Sequence, residues 1–489
     1  MSNLFKSSIL ISLSELAFNF SGYVTQALIG RMFTPAEYGR FSIIVTFATM
    51  IIVLIGRGIP ISTSKHLSEI NRKDFNGRYA IKKAALTIQI LIIAVISFAY
   101  FMLASVFANI LKDPSLTPLF QISSLIIPTF ALASFYAYYF TGIQDFKRSS
   151  TLKFLRSIFK IICIVGLGYF FKLTGAIIGQ ALAPLLVFLS GYLMDPFNKF
   201  KLKKRKDFKN APVNIALMKK LSIFAGPIVI FMLFYEFMLS MNLYFVKALL
   251  GQDDLVGIYS AASTVSRIPY YLFFFMTIIL LPKISELITN KEHNKTKELL
   301  EKAFKYLFIT LVPMTVLLSL FSESAVRFFY GSRYTSAGSI MSILIFGFAF
   351  LTVFYIITFV LNGAGKNKFP VWASIIGTIL NGILNWILLK RMGLPGSAIA
   401  TTITAFVIMI WALIYSNQKI THFINIWSII KYLLTGLFIY LLGSLFFSQG
   451  RFIFILWSFL LLIIYFFIMI LFKELKIDDW KYLVKSFKK

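Results

Sequence analysis

Apolar residues fall along this chain in long, nearly unbroken runs separated by short polar segments. Fourteen runs of helix-spanning length can be read, at approximately 8–30, 41–61, 84–108, 118–142, 152–171, 174–194, 222–246, 255–281, 303–321, 337–361, 371–390, 396–415, 430–448 and 452–472. A run of about 20 apolar residues is a helix long enough to cross the hydrocarbon core of a bilayer. The pattern therefore predicts an all-α polytopic membrane protein of about fourteen spans. Pro128, Pro184, Pro227, Pro269 and Pro313 lie within those runs. Proline there removes a helix hydrogen bond and gives a kink. The polar stretch 283–305 places Glu298 and Lys302 at helical spacing and predicts a short amphipathic helix between two spans.

The pattern repeats. Glu15, Tyr23, Ala27, Leu28 and Gly30 recur at the same spacing as Glu236, Tyr244, Ala248, Leu249 and Gly251. After a three-residue deletion Gly39 and Ser42 fall on Gly257 and Ser260, and Gly142 and Gly175 later match Gly363 and Gly396. Weak internal symmetry in a very apolar chain marks a transporter built from two related halves. The expected organisation is an N-terminal six-helix lobe at 1–196 and a basic linker at 197–220. A second six-helix lobe follows at 221–416, then two appended helices at 417–472 and a tail at 473–489.

Composition agrees: 58% of the 489 residues are hydrophobic and the mean hydropathy is +0.81. The net charge of +30 would suit a nucleic-acid binder, but its distribution argues against one. Nine basic residues lie in 199–220, six in 283–305 and six in 473–489, all on one face, whereas the loops of the other face hold few. That asymmetry places both termini in the cytoplasm, with the protein in the cytoplasmic (inner) cell membrane. The linker is expected to attract anionic lipid headgroups. Even helix numbers per half give both halves the same orientation. The single Cys163 excludes an intramolecular disulfide. No P-loop pattern occurs, and no carboxylate or histidine cluster marks a metal or acid–base site. The sequence offers no enzyme and no bound cofactor.

Charges inside spans are costly, about 2.5–3.5 kcal/mol for a basic residue at mid-helix, and six are placed there: Glu15, Arg57, Arg156, Lys160, Glu236 and Arg267. Arg267 lies deep in its span, two residues before Pro269; it is either an anion-binding group facing a wet cavity or half of a buried ion pair with Glu236. Arg156 and Lys160 share one helix face, with Lys153 and Phe159 nearby, and form a basic stripe suited to a phosphate-bearing substrate. Arg57 lies near the cytoplasmic end of its span, where snorkelling explains it nearly as well as function. Glu15 and Glu236 occupy equivalent places in the two halves. Each could bind a coupling Na⁺ or H⁺, or neutralise a neighbouring arginine.

Several short segments carry a resemblance. Arg31-Met32-Phe33-Thr34-Pro35-Ala36-Glu37-Tyr38-Gly39-Arg40-Phe41 resembles the first-loop signature of the polysaccharide flippases, in the multidrug/oligosaccharidyl-lipid/polysaccharide exporter superfamily. Val256-Gly257-Ile258-Tyr259-Ser260-Ala261-Ala262, Phe329-Tyr330-Gly331-Ser332-Arg333-Tyr334 and Leu361-Asn362-Gly363-Ala364-Gly365-Lys366 are similar to later family segments, as is the stretch from Asn381 and Asn385 to Gly393 and Gly396. The resemblance runs from about residue 5 to 415. It implies a V-shaped pair of six-helix lobes with two extra helices. It also implies flipping of polyprenyl-(pyro)phosphate-linked oligosaccharide to the outer leaflet, by alternating access around a cationic cavity. Polysaccharide assembly proteins are further candidate partners. Lipid II flippases of the same superfamily line that cavity with arginines on spans one, two and eight. Arg57 and Arg267 lie on spans two and eight here, and on span one only Arg31, at its outer end, is available. The competing reading is an H⁺- or Na⁺-coupled multidrug or small-molecule exporter of the same superfamily.

Overall fold

The computed structural model describes residues 2–56, 58–70, 74–195, 215–445 and 453–475, which are almost wholly α-helical, with no strand among the described residues. In lipid every backbone N–H and C=O must be paired within its own segment, which leaves the helix as the form for these runs. The chain divides into two compact units, Met1–Ser260 with Ser374–Gly382, and Ala261–Ala373 with Ile383–Lys489.

The first unit holds α1 (Ser2–Met32), α2 (Pro35–Gly56), α3 (Gly58–Glu69), α4 (Phe75–Met102), α5 (Ala104–Ile110), α6 (Thr117–Ser123), α7 (Ile126–Gly142), α8 (Phe146–Met194), α9 (Ile215–Leu250) and most of α10 (Asp253–Ser266). Thr34 and Glu37 form a capping box at the start of α2: the Glu37 carboxylate accepts from Thr34 N–H at 2.9 Å, and the Thr34 hydroxyl accepts from Glu37 N–H at 3.3 Å. Asp74 and Asp145 cap α4 and α8 by accepting from Gly77 and Arg148 backbone N–H groups. The core gathers Phe135, Tyr136, Tyr139 and Phe140 of α7 with apolar residues of α3, α4, α8 and α9. Asn381 ties the segment 374–382 to α9 by donating to Met238 C=O and to the Asn242 side chain, at 3.0 and 3.2 Å. Interhelical hydrogen bonds of this kind hold helices together where lipid supplies no hydrophobic drive.

The second unit continues with α11 (Ile268–Thr289), α12 (His293–Leu320), α13 (Ser322–Tyr330), α14 (Ala337–Gly363), α15 (Lys368–Met392), α16 (Leu394–Lys419), α17 (Ile426–Leu445) and α18 (Ile453–Leu471). The middle of this unit is α14, buried along most of its length and packed against α11, α12, α13 and α16. The appended α17 lies close against α12 because Gly436 and Gly443 leave room for Val312 and Leu320.

Eleven helical segments among the described residues are long and apolar enough to cross a membrane. They count α8 once, although its 49 residues contain non-helical backbone at Phe171 and Lys172. At 1.5 Å per residue α8 is roughly 70 Å long, enough for two crossings of a core about 30 Å thick. The eleven leave out α1 and the α10–α11 pair, where the apolar pattern places two more. The separate amphipathic helix expected within 283–305 does not form. There α11 runs to Thr289, a short turn carries Lys291 at φ +58, and α12 begins at His293. Glu298 and Lys302 pair in the first turns of α12, so the polar stretch is the start of the next span.

Candidate functional site

The basic stripe of α8 faces α1 in register. Lys153, Arg156 and Lys160 follow one another at helical spacing, and opposite them stand Glu15, Phe18 and Gly22. Lys153 and Glu15 form an ion pair. The Arg156 guanidinium lies between two rings, 4.6 Å from the Phe18 centroid and 4.0 Å from that of Phe130 on α7. The Lys160 ammonium is 5.4 Å from the Phe18 centroid. A Cβ on Gly22 would stand 3.3 Å from that nitrogen, so the glycine makes the room the ammonium occupies. Ring faces attract a cation without cancelling its charge. Among the described side chains of these two faces, three cations, Lys153, Arg156 and Lys160, stand with one carboxylate, Glu15.

The other expected residues are spread out. Arg31 is exposed in the last turn of α1, roughly 14 Å beyond Gly22 along the helix axis. Glu236 is half-buried on α9 and has no ion pair among the described residues. Arg267 belongs to the second unit and stands at the break between α10 and α11. Its backbone N–H still donates to Ser263 C=O at 3.2 Å, while Pro269 follows at the start of α11. Its guanidinium lies 5.3 Å from the Phe348 ring of α14. Arg57 lies outside the described residues.

Two charged groupings are not anticipated by the sequence. At the end that the charge pattern assigns to the outside, Lys247 of α9 bridges Asp113 and Asp253 at 2.7 and 2.5 Å. Arg40 of α2 completes the group, 2.6 Å from Asp253 and 3.5 Å from Asp113. The Lys247 side chain is only 3% exposed, and two cations meet two carboxylates. Burial pushes the Asp113 carboxyl up, but hydrogen bonds from Lys247 and Ser115 and the charges of Lys247 and Arg40 outweigh it and hold it below its ordinary value. Beside this group α2 and α10 cross at repeat-related residues. A Cβ on Gly39 would lie 2.2 Å from Asp253 C=O, and one on Gly257 would lie 1.9 Å from Pro35 C=O. Ser260 donates to Ser42 at 2.8 Å. The contacts are reciprocal, as a local two-fold axis requires. The second grouping is the buried pair of Lys82 and Asp195, with the Lys82 ammonium 5.0 Å from the Tyr139 ring. It fastens the end of α8 to α4. A cavity of about 350 Å³ at His66, Glu69, Gly77 and Leu217 includes none of the expected site residues.

Residues 4–288 match the family described as polysaccharide biosynthesis protein, and residues 227–387 match the MatE family. An uncharacterized membrane protein of Methanocaldococcus jannaschii is 30% identical over 34% of this chain and 32% of its own length. The lipid II flippase MurJ of Bacillus subtilis is 22% identical over 75% of this chain and 72% of its own. In fold, the chain is similar to a lipid II flippase MurJ structure in an inward closed conformation. The TM-score is 0.75 at 20% identity, covering 96% of this chain and 99% of that one. With more than half of its length matched, the chain belongs to the polysaccharide biosynthesis protein family, within the multidrug/oligosaccharidyl-lipid/polysaccharide exporter superfamily.

Proposed function

We propose that this protein is a flippase that carries polyprenyl-(pyro)phosphate-linked oligosaccharide from the cytoplasmic to the outer leaflet by alternating access. It is a transporter and not an enzyme. The observation that carries the reading is the charge excess of the α1–α8 stripe. Two cations inside an apolar span, Arg156 and Lys160, and Lys153 at its end face one carboxylate among the described side chains, and a cation at mid-helix costs about 2.5–3.5 kcal/mol unless something offsets it. A diphosphate is the matching occupant: it is anionic, and its oxygens accept from both guanidinium and ammonium donors. Counted from Phe146, Lys153 to Lys160 lie about 10 to 21 Å into α8. That depth suits a headgroup on its way across.

In this reading Arg267, Arg57 and Arg31 add positive charge along the route, and Glu15 and Glu236 are the candidates for coupling to Na⁺ or H⁺. The chain crosses fourteen times with both termini in the cytoplasm, two six-helix lobes carry the motion, and the protein works in the inner cell membrane. The basic linker attracts anionic lipids, and polysaccharide assembly proteins supply or receive the glycan. The MatE match over 227–387 favours a second reading, a cation-coupled exporter of drugs or small molecules. A stripe with net positive charge repels cationic drugs, which weighs for an anionic cargo.

Purified protein in proteoliposomes separates the two. Gradient-independent or gradient-driven transfer of a labelled polyprenyl-diphosphate oligosaccharide across the bilayer is the expected result. No transfer of that lipid, with the same vesicles extruding a cationic dye against a Na⁺ or H⁺ gradient, would overturn the flippase reading.

A further inference from the structure

We propose that the turn of α8 at residues 169–172 is a lipid anchor: its three rings seat in the headgroup layer of the outer leaflet and hold the helix at a fixed depth. The partner is a lipid surface, and the anchor does not depend on which cargo the protein carries.

Tyr169, Phe170 and Phe171 follow one another at the break in α8 and are 72%, 76% and 67% exposed. Lys172 beside them is exposed as well, with φ +50. That much bare ring surface is unfavourable in open water. The turn itself does not call for it. In the repeat-related turn between α15 and α16, Lys390, Arg391 and Met392 hold the matching positions, and they too are exposed. Both turns are closed in the same way: a Cβ on Gly175 would lie 2.1 Å from the Leu167 carbonyl oxygen, and one on Gly396 would lie 2.1 Å from that of Leu388. With the closure shared, the rings serve something outside the hairpin.

Depth picks out what that is. Lys147 and Arg148 stand in the first turn of α8, at the end that the charge pattern assigns to the cytoplasm. From Phe146 to Phe171 the helix rises roughly 37 Å. The hydrocarbon core is about 30 Å thick, and the bilayer with its headgroups about 40–45 Å. A helix that starts among the inner headgroups therefore ends among the outer ones. An ordinary tilt of about 20° takes away only about 2 Å. Aromatic rings favour that layer, with the Tyr169 hydroxyl toward water, and the Lys172 ammonium suits lipid phosphate oxygens. Lys160, twelve residues before Lys172, is then held roughly 18 Å below the turn, near the middle of the bilayer.

The test uses the full-length protein in vesicles of phosphatidylcholine and phosphatidylglycerol. Thr174→Cys in a Cys163→Ala background carries one nitroxide label, beside the turn but off its rings. Thr174 is exposed and Cys163 is the single, buried cysteine; Cys163→Ser serves where Cys163→Ala lowers the melting temperature. Collisions of the label with oxygen and with a water-soluble nickel chelate give its depth. The label is expected within about 5 Å of the outer hydrocarbon boundary and roughly 9 Å shallower than a label at Ile162, on the same helix. Replacing Tyr169, Phe170 and Phe171 together by Ser should raise collisions with the chelate. The melting temperature in detergent should stay that of wild type, because the rings are exposed. A label in open water, one as deep as Ile162, or one shielded from both collision partners as a second protein would shield it, would overturn the inference. So would a triple variant whose label reads as before.

Discussion

The two charged regions of the first compact unit are built on different accounts. Around Lys247 two cations meet two carboxylates, the lysine is buried, and the charges are satisfied by one another. Along α8 Lys153, Arg156 and Lys160 face the Glu15 carboxylate among the described side chains, they keep partial exposure, and aromatic rings stand against Arg156 and Lys160. Balanced charge with burial is what a fastening needs, because removing water from an ion is tolerable only when the partner is fixed close by. Charge left over with exposure is what a binding surface needs, because the missing anion has to be able to arrive. On the proposed flippase reading, the difference separates a closure at one end of the helices from a seat for cargo within them.

The largest effect should come from breaking the fastening. Lys247→Met leaves Asp113 and Asp253 with Arg40 as the one cation of the group and is expected to cost about 3–5 kcal/mol, read as a lowered melting temperature in detergent. Stability unchanged by that substitution would remove the structural reading of the group. Next comes the crossing beside it. Gly257→Ala puts a methyl group 1.9 Å from the Pro35 carbonyl, so α2 and α10 have to separate, with an overpacking cost of about 1–3 kcal/mol or more. Thermal unfolding of this variant beside Gly166→Ala, where no atom lies within 4 Å, sharpens the comparison; equal melting temperatures would contradict close crossing. The smallest effect is on pH. The Asp113 carboxyl is held below 3.8 in the folded protein, so its contribution is complete above that value. It is lost as pH falls through the lowered one. Asp113→Asn should flatten the acid limb of the stability profile, and an unaltered acid limb would show that other carboxylates govern it.

How much of this is legible in the chain itself depends on the distance over which partners meet. The spans are legible because their signal is local, and the stripe is legible because Lys153, Arg156 and Lys160 share one helix. Their neighbours Phe18 and Gly22 are not, since nothing in a sequence fixes which face of α1 turns to α8. Lys247 and Asp113 are 134 residues apart, and each alone reads as an ordinary outer-loop charge. The break at Arg267 is signalled by Pro269, and the break in α8 at Phe171–Lys172, which carries no proline, by the gap between the apolar runs 152–171 and 174–194. The stretch 283–305 reads as an independent helix because its polarity is local, but α12 simply begins there with an exposed first turn.

The central claim is that surplus charge on the stripe serves cargo while balanced charge at Lys247 serves the fold. Lys160→Met and Lys247→Met, measured side by side for melting temperature in detergent and for flipping of labelled polyprenyl-diphosphate oligosaccharide in proteoliposomes, test it most directly. Lys160→Met should keep the wild-type melting temperature and lose flipping at least tenfold; Lys247→Met should melt well below wild type. Wild-type flipping by Lys160→Met, with its stability reduced instead, would contradict the account.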